Sequence, residues 1–320
     1  MTYAPVIIPT LSRYDTLKKC LESLNLNHDA EKTEVFISVD YPPAEKYKAG
    51  HDMICEYLDH SSFRFKQLHV IKQTENLGII NDGLKKYDNT SFLIDLVFKR
   101  FDRFILSEDD NVFSPGFLDY MNQGLEKFED DPTVFSICGY RFYYNLKFKE
   151  NNFFRQHTDF NGWGCGVWKK KISLALDLDV SYLRRMVYNP FKVIKLWRVS
   201  NYRVTTLCGF SKKKNFKKAD HFFTIYMIDH NMTQIMPRKS LVRNIGWNNM
   251  GMHCSGFSED VVSSHINQEI DDSPCFEGYK GTGWEFFKEN QRVIRDEDFQ
   301  QVSFKTALIE LLSRIRHFNS

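Results

Sequence analysis

The sequence predicts an α/β fold, a mostly parallel sheet flanked by helices, followed by a helical C-terminal extension. Two observations carry this. In the N-terminal half, short apolar runs alternate with stretches of helical period, as strand–helix–strand units do. Two of those runs end directly on acids, at Asp40 and at Glu108-Asp109-Asp110. Open α/β sheets bind their ligands at such carboxyl ends of strands.

Taken in order, Pro5 to Thr10 is a short apolar run closed by Pro9, and reads as the first strand. Tyr14 to Leu24 places Leu17, Leu21 and Leu24 at helical spacing, with Ser12 or Asp15 as cap. Glu34 to Asp40 is a second buried strand, broken by Pro42-Pro43. His51 to Leu58 reads as helix, Phe65 to Gln73 as a third strand, Gly78 to Tyr87 as helix, and Arg103 to Ser107 as the fourth strand. Residues 115–129 follow as helix, and Thr133 to Tyr140 as strand. Phe160 to Trp168 is rich in Gly and Trp. Lys171 to Lys218 is basic with helical pieces, and Ala219 to His230 has helical spacing. Ser240 to Val242 is strand-like, and 255–300 reads as loop-rich. Phe304 to Phe318 closes the chain as a basic amphipathic helix, with Ala307, Leu308, Leu311, Leu312 and Ile315 in one stripe.

Composition bounds the function. Lys plus Arg number 43 against 41 Asp plus Glu, so a near-neutral +2 argues against nucleic acid as partner. A hydrophobic share of 42% and an aromatic share of 15% exclude disorder over most of the length. No apolar run is long enough to span a membrane. The first residues, MTYAPVIIPT, show no secretory pattern. Seven scattered cysteines without a CxxC pair speak against a disulfide framework or structural zinc, so the expectation is a cytoplasmic protein.

The strongest local signal is Ile105-Leu106-Ser107-Glu108-Asp109-Asp110. Three carboxylates at the end of a buried strand need a neutralising cation. Hard oxygens suit Mg²⁺ or Mn²⁺, with phosphate completing the shell. The other reading is an exposed acidic turn that caps the helix near Pro115. Asp40 could accept hydrogen bonds from a ribose or base, or simply sit in a turn. Arg13 faces the same crevice, and its fork suits phosphate.

At these residues the chain resembles a family. PVIIPTLSRYDTLKKCLESL, FISVD, NLGIINDGL and ILSEDDNVFSPGFLDYM are similar to GT-A-fold nucleotide-sugar glycosyltransferases. Asn161 to Lys169 resembles the GWGxxxWK segment of bacterial envelope-polysaccharide transferases. PRKSLVRNIGW with Gly251-Met252-His253-Cys254 resembles a later segment of theirs. A more distant likeness is to eukaryotic N-acetylglucosaminyltransferases of the type that initiates complex N-glycans. The resemblance implies a Rossmann-like GT-A catalytic domain over 1–256 and an extension over 257–320. It implies Asp110 as metal ligand for Mn²⁺ or Mg²⁺, with His253 on the metal or the diphosphate. Glu108 and Asp109 would serve donor or metal, Asp40 the base or ribose, and Arg13 the nucleotide. Trp163 and Gly164 would form the floor where donor and acceptor sugars meet. The catalytic base would be Asp220, in Asp220-His221-Phe222, where relatives carry Asp-Ser-Trp or Asp-Asp-Trp; Asp229 is the fallback. Core packing is the plain reading of Trp163, a packed loop that of His253, and a helix cap that of Asp220.

The implied reaction moves a sugar, with inversion, from a UDP-type nucleotide-sugar donor to a saccharide acceptor hydroxyl, lipid-linked in one version, in envelope-glycan synthesis. The rivals are a sugar nucleotidyltransferase and a non-catalytic carbohydrate-binding or scaffold protein. The basic C-terminal helix suits peripheral contact with the inner face of a plasma membrane, or packing on the body or a second subunit.

Overall fold

The computed structural model describes residues 3–78, 88–142, 144–146, 153–213, 216, 218–246, 268–270, 281–297 and 302–316. The strands are β1 (Val6–Thr10), β2 (Glu34–Val39), β3 (Gln67–Lys72), β4 (Arg103–Leu106), β5 (Asn111–Phe113), β6 (Val134–Cys138), β7 (Phe153–Gln156), β8 (Cys165–Trp168), β9 (Thr233–Pro237) and β10 (Val242–Asn244). Eight of them form one sheet in the order β3-β2-β1-β4-β8-β6-β9-β7. The first four run parallel, with Ile8 opposite Ile37 and Val6 opposite Ile105. β8 lies antiparallel between β4 and β6, β9 runs parallel to β6, and β7 closes the edge antiparallel. β5 and β10 pair as a separate antiparallel ribbon, with Asn111 opposite Asn244.

The helices are α1 (Tyr14–Asn25), α2 (Lys48–His60), α3 (Asn89–Val97), α4 (Phe117–Lys127), α5 (Lys169–Leu176), α6 (Val180–Tyr188), α7 (Pro190–Val199), α8 (Asn201–Lys212), α9 (Asp220–His230), α10 (Phe287–Glu297) and α11 (Phe304–Arg316). Strand side chains alternate between two cores, as a period of two requires. Val6, Ile8, Val35 and Ile37 meet α1, α2 and α4 on one face. Ile7, Phe36 and Phe135 meet α3, α5–α9 and α11 on the other. Because both faces are covered, the inner strands read as unbroken apolar runs in sequence.

The expected strands and the helices at α1, α2, α4, α9 and α11 are present. Several elements differ from expectation. α3 occupies residues where no element was expected, and β7 and β8 form in segments with no strand pattern. The strand expected over Ser240 to Val242 lies at Val242–Asn244, and α10 forms inside the expected loop. The helix expected from Gly78 to Tyr87 lies, beyond Gly78, outside the described residues. The expected C-terminal stripe is partly spent on the body: Ala307 and Leu311 are buried and Ile315 packs beside them, while Leu312 faces water.

Gly164 ties the two sheets together. It has φ +64, and a Cβ there would lie 2.8 Å from Val242 Cγ2 and 2.9 Å from Phe117 Cε2. Its carbonyl accepts from the Gly139 amide at 2.8 Å. An L side chain is disfavoured by that backbone and blocked by those atoms. Gly164→Ala is expected to lower stability by about 1–3 kcal/mol, read as a fall in the urea midpoint at unchanged slope.

Candidate functional site

The acids sit where β4 ends and the β5–β10 ribbon begins. β1 is the parallel neighbour of β4, so the residues that leave β1 stand beside them. Thr10 Oγ1 donates to Asp109 Oδ2 at 2.7 Å. Arg13 spans the pair: Nη1 donates to Asp110 Oδ2 at 2.5 Å, and Nη2 donates to Asp109 Oδ1. From the ribbon, Asn244 Nδ2 donates to Asp110 Oδ1 at 2.9 Å, and the Ile245 amide donates to the Asp110 carbonyl at 2.9 Å. Gly246 leaves room for this arrangement, because a Cβ there would fall 2.0 Å from Asp110 Oδ2.

Charge and burial shift these groups. Burial opposes the charge on Arg13, but Asp109, Asp110 and Glu108 outweigh it and strengthen its hold on its proton. Burial pushes the Asp109 carboxyl up, against the pull of Arg13 and Thr10. Glu108 is exposed to water, yet protein atoms crowd round it, as at the wall of a crevice. That crowding, then the negative charges of Asp110 and Asp220, push it up to about 8.

Asp220 forms the opposite wall. It is the first residue of α9, and its cap position belongs to Ala219, so Asp220 is not the helix cap. A Cβ on Gly162 would lie 3.2 Å from Asp220 Oδ1. The Gly- and Trp-rich segment is braced behind it: the Asn161 amide donates to Gln234 Oε1 at 2.9 Å, and Gln234 Nε2 donates to the Asn161 carbonyl at 2.9 Å. Trp163 is half-buried, edge-on to Tyr140 at 4.7 Å and tilted on Phe142 at 5.8 Å. It packs on the core, as its plain reading had it.

The structure therefore brings together Arg13, Glu108, Asp109, Asp110 and Asp220, with Gly162 at their side. Asp229 stays apart. At the far end of α9 it accepts from Tyr182 Oη and Lys192 Nζ, both at 2.7 Å, which makes it a structural acid. Asp40 lies at the end of β2, and its carboxylate already holds a turn. Oδ1 accepts from the Leu77 amide at 2.8 Å, and Oδ2 from the Gly78 amide at 3.1 Å. His253 lies outside the described residues. Thr10 and Asn244 were missed as site residues. The β1–β4 pairing reveals Thr10 and the register Asn111–Asn244 reveals Asn244, and no local pattern announces either.

Among the described residues, no three His, Cys, Asp or Glu side chains converge where an ion could sit. Both oxygens of Asp109 and of Asp110 are engaged by Arg13, Thr10 and Asn244. As they stand, these residues do not fit a bound divalent cation; Arg13 supplies the positive charge.

No family model matches this chain, and no curated protein does. Solved structures that match include the crystal structure of S. aureus TarS 1-349, with TM-score 0.42 and 11% identity over 98% of this chain and 81% of that one. The same protein in complex with UDP-GlcNAc matches with TM-score 0.42 and 11% identity, over 97% and 81%. A further TarS structure matches with TM-score 0.36 and 11% identity over 54% of this chain, and the match spans 29% of that chain. At this distance the likeness carries neither a residue nor an activity across.

The upward shift of Glu108 has a consequence for stability. Between its ordinary 4.5 and about 8, the native protein holds a proton that the unfolded chain releases. Stability therefore falls as pH rises through that window. Urea midpoints of metal-free protein are expected to drop from pH 5 to pH 8, and Glu108→Gln is expected to flatten the drop. Parallel curves for the two proteins would count against the geometry.

Proposed function

We propose that this chain is a nucleotide-sugar glycosyltransferase of GT-A type, which moves a sugar, with inversion, from a nucleoside diphosphate donor, UDP first, to a saccharide hydroxyl of an envelope glycan. The observation that carries the reading is the crevice with two walls. On one side a guanidinium sits among acids at strand ends; on the other a carboxylate on a separate helix lies close enough to raise Glu108.

In this reading Arg13 turns its fork to the donor diphosphate, leaving Glu108 and Asp109 to the donor's hydroxyls. The turn held by Asp40 borders the base and ribose. Trp163 and Gly164 line the place where the two sugars meet. Asp220 takes the proton of the acceptor hydroxyl as its oxygen attacks the anomeric carbon. The bond to the acceptor forms, the bond to the diphosphate oxygen breaks, and the leaving charge rests on Arg13. Attack comes from the face opposite the leaving group, so the anomeric centre inverts.

Asp220→Asn retains shape and removes basicity. With UDP binding unchanged, sugar transfer is expected to fall by about 10²–10⁴-fold. A loss under about tenfold would overturn the assignment. The divalent cation implied by the resemblance is a separate proposal. If bound, Mn²⁺ or Mg²⁺ would be held by Asp110 and His253 and would offset the charge on the leaving diphosphate. Calorimetry should then show Mn²⁺ tightening UDP binding over EDTA in wild type and not in Asp110→Ala. Equal affinity in Mn²⁺ and EDTA would remove the metal from the proposal.

A further inference from the structure

The helices on the second face of the sheet carry a local excess of positive charge. Residues 169–230 contain fourteen Lys and Arg against four Asp and Glu, in a chain whose total is only +2. Within this region α7 turns an apolar row outward. Phe191 and Ile194, then the half-buried Trp197, whose ring also packs on the core, follow at spacings of three along one side of the helix. Phe191 is 81% exposed and Ile194 47%. The Trp197 ring lies 4.8 Å from that of Phe304 on α11, itself 61% exposed, so the row continues onto the second helix. Arg198 follows Trp197 and Lys305 follows Phe304, and both are exposed. The other side of α7 is committed to the core through Val193, Leu196 and Val199.

We propose that this α7–α11 ridge docks on an anionic lipid bilayer. Phe191, Ile194 and Phe304 would enter the boundary between headgroups and acyl chains, with Arg198, Lys305 and the surrounding lysines over the lipid phosphates. An apolar row on exposed helix faces, inside a region with a large excess of positive charge, suits a soft anionic surface better than a shaped protein groove. Each Lys or Arg held near such a surface adds roughly fivefold to binding. The surface differs from the one expected from sequence. The C-terminal stripe is partly spent against α8, and the exposed row belongs mainly to α7. The proposal does not rest on the transferase reading.

The test is co-sedimentation of the full chain with vesicles of phosphatidylcholine alone and with roughly one-third phosphatidylglycerol. Wild type is expected to partition onto the anionic vesicles at least about tenfold more strongly than onto the neutral ones. The double variants Phe191→Ser/Ile194→Ser and Arg198→Glu/Lys305→Glu change only exposed side chains. Each should lose about tenfold in partitioning at wild-type urea midpoint. Failure of wild type to bind anionic vesicles would overturn the proposal, as would equal binding by Phe191→Ser/Ile194→Ser. Sedimentation velocity that shows a wild-type dimer and a monomeric Phe191→Ser/Ile194→Ser variant would assign the ridge to a second copy, and would overturn it too.

Discussion

Carboxylates crowded at the end of a buried strand repel one another, and the surroundings of Glu108, Asp109 and Asp110 answer that repulsion. A pair of unit charges at about 4 Å interacts by about 4 kcal/mol near a protein surface. A buried carboxylate without a partner is strongly destabilising. Arg13 bridges two of the acids, and Thr10 and Asn244 take up the remaining oxygens. This solution demands the sheet order: only with β1 beside β4 can the residues after β1 reach the acids after β4. It demands the ribbon as well, since Asn244 arrives through pairing with β5. Glu108 is left to the crevice, where crowding by protein atoms and then the charges of Asp110 and Asp220 raise its proton affinity.

The opposite wall is set by a second buried arginine. Arg203 on α8 donates to the Thr158 carbonyl at 3.2 Å, to Asp159 Oδ1 at 2.7 Å and to His221 Nδ1 at 3.1 Å. Thr224 adds a bond from its hydroxyl to the Asp220 carbonyl at 2.8 Å, and it accepts from the Phe160 amide at 2.8 Å. The start of α9 is thereby fastened to the chain that leads into Gly162, and Asp220 keeps its place beside that glycine. The same contacts hold His221 in place. Its ring meets Arg203 and Tyr202, so it serves the packing of α8 on α9.

Legibility from the sequence followed the locality of the signal. β1, β2 and β4 are read because strands buried on both faces leave unbroken apolar runs. α1 and α4 are read because their buried residues recur at helical spacing. β7 is not read, since Phe153–Gln156 carries Arg155 and Gln156 into the interior. Arg155 is acceptable there only because Asp131 and the Thr282 carbonyl, far off in sequence, receive its donors. α3 escaped because its apolar residues alone gave no period that stood out, while its cap, Asp88, which accepts from the Ser91 amide and hydroxyl, is one residue in the sequence.

By itself the sequence determined that an α/β sheet forms and that acids stand at the ends of two of its strands, because strand alternation and strand ends are written in neighbouring residues. It also marked Asp220 at the start of a helix. Only the tertiary structure decided which charges meet. Arg13 finds Asp109 and Asp110 across almost a hundred residues, Asp220 faces Glu108, and Asp229 turns away to Tyr182 and Lys192. The physical reason is that Coulomb and hydrogen-bond energies depend on separation in space, and β-strand order, which sets that separation, leaves no local trace in the chain.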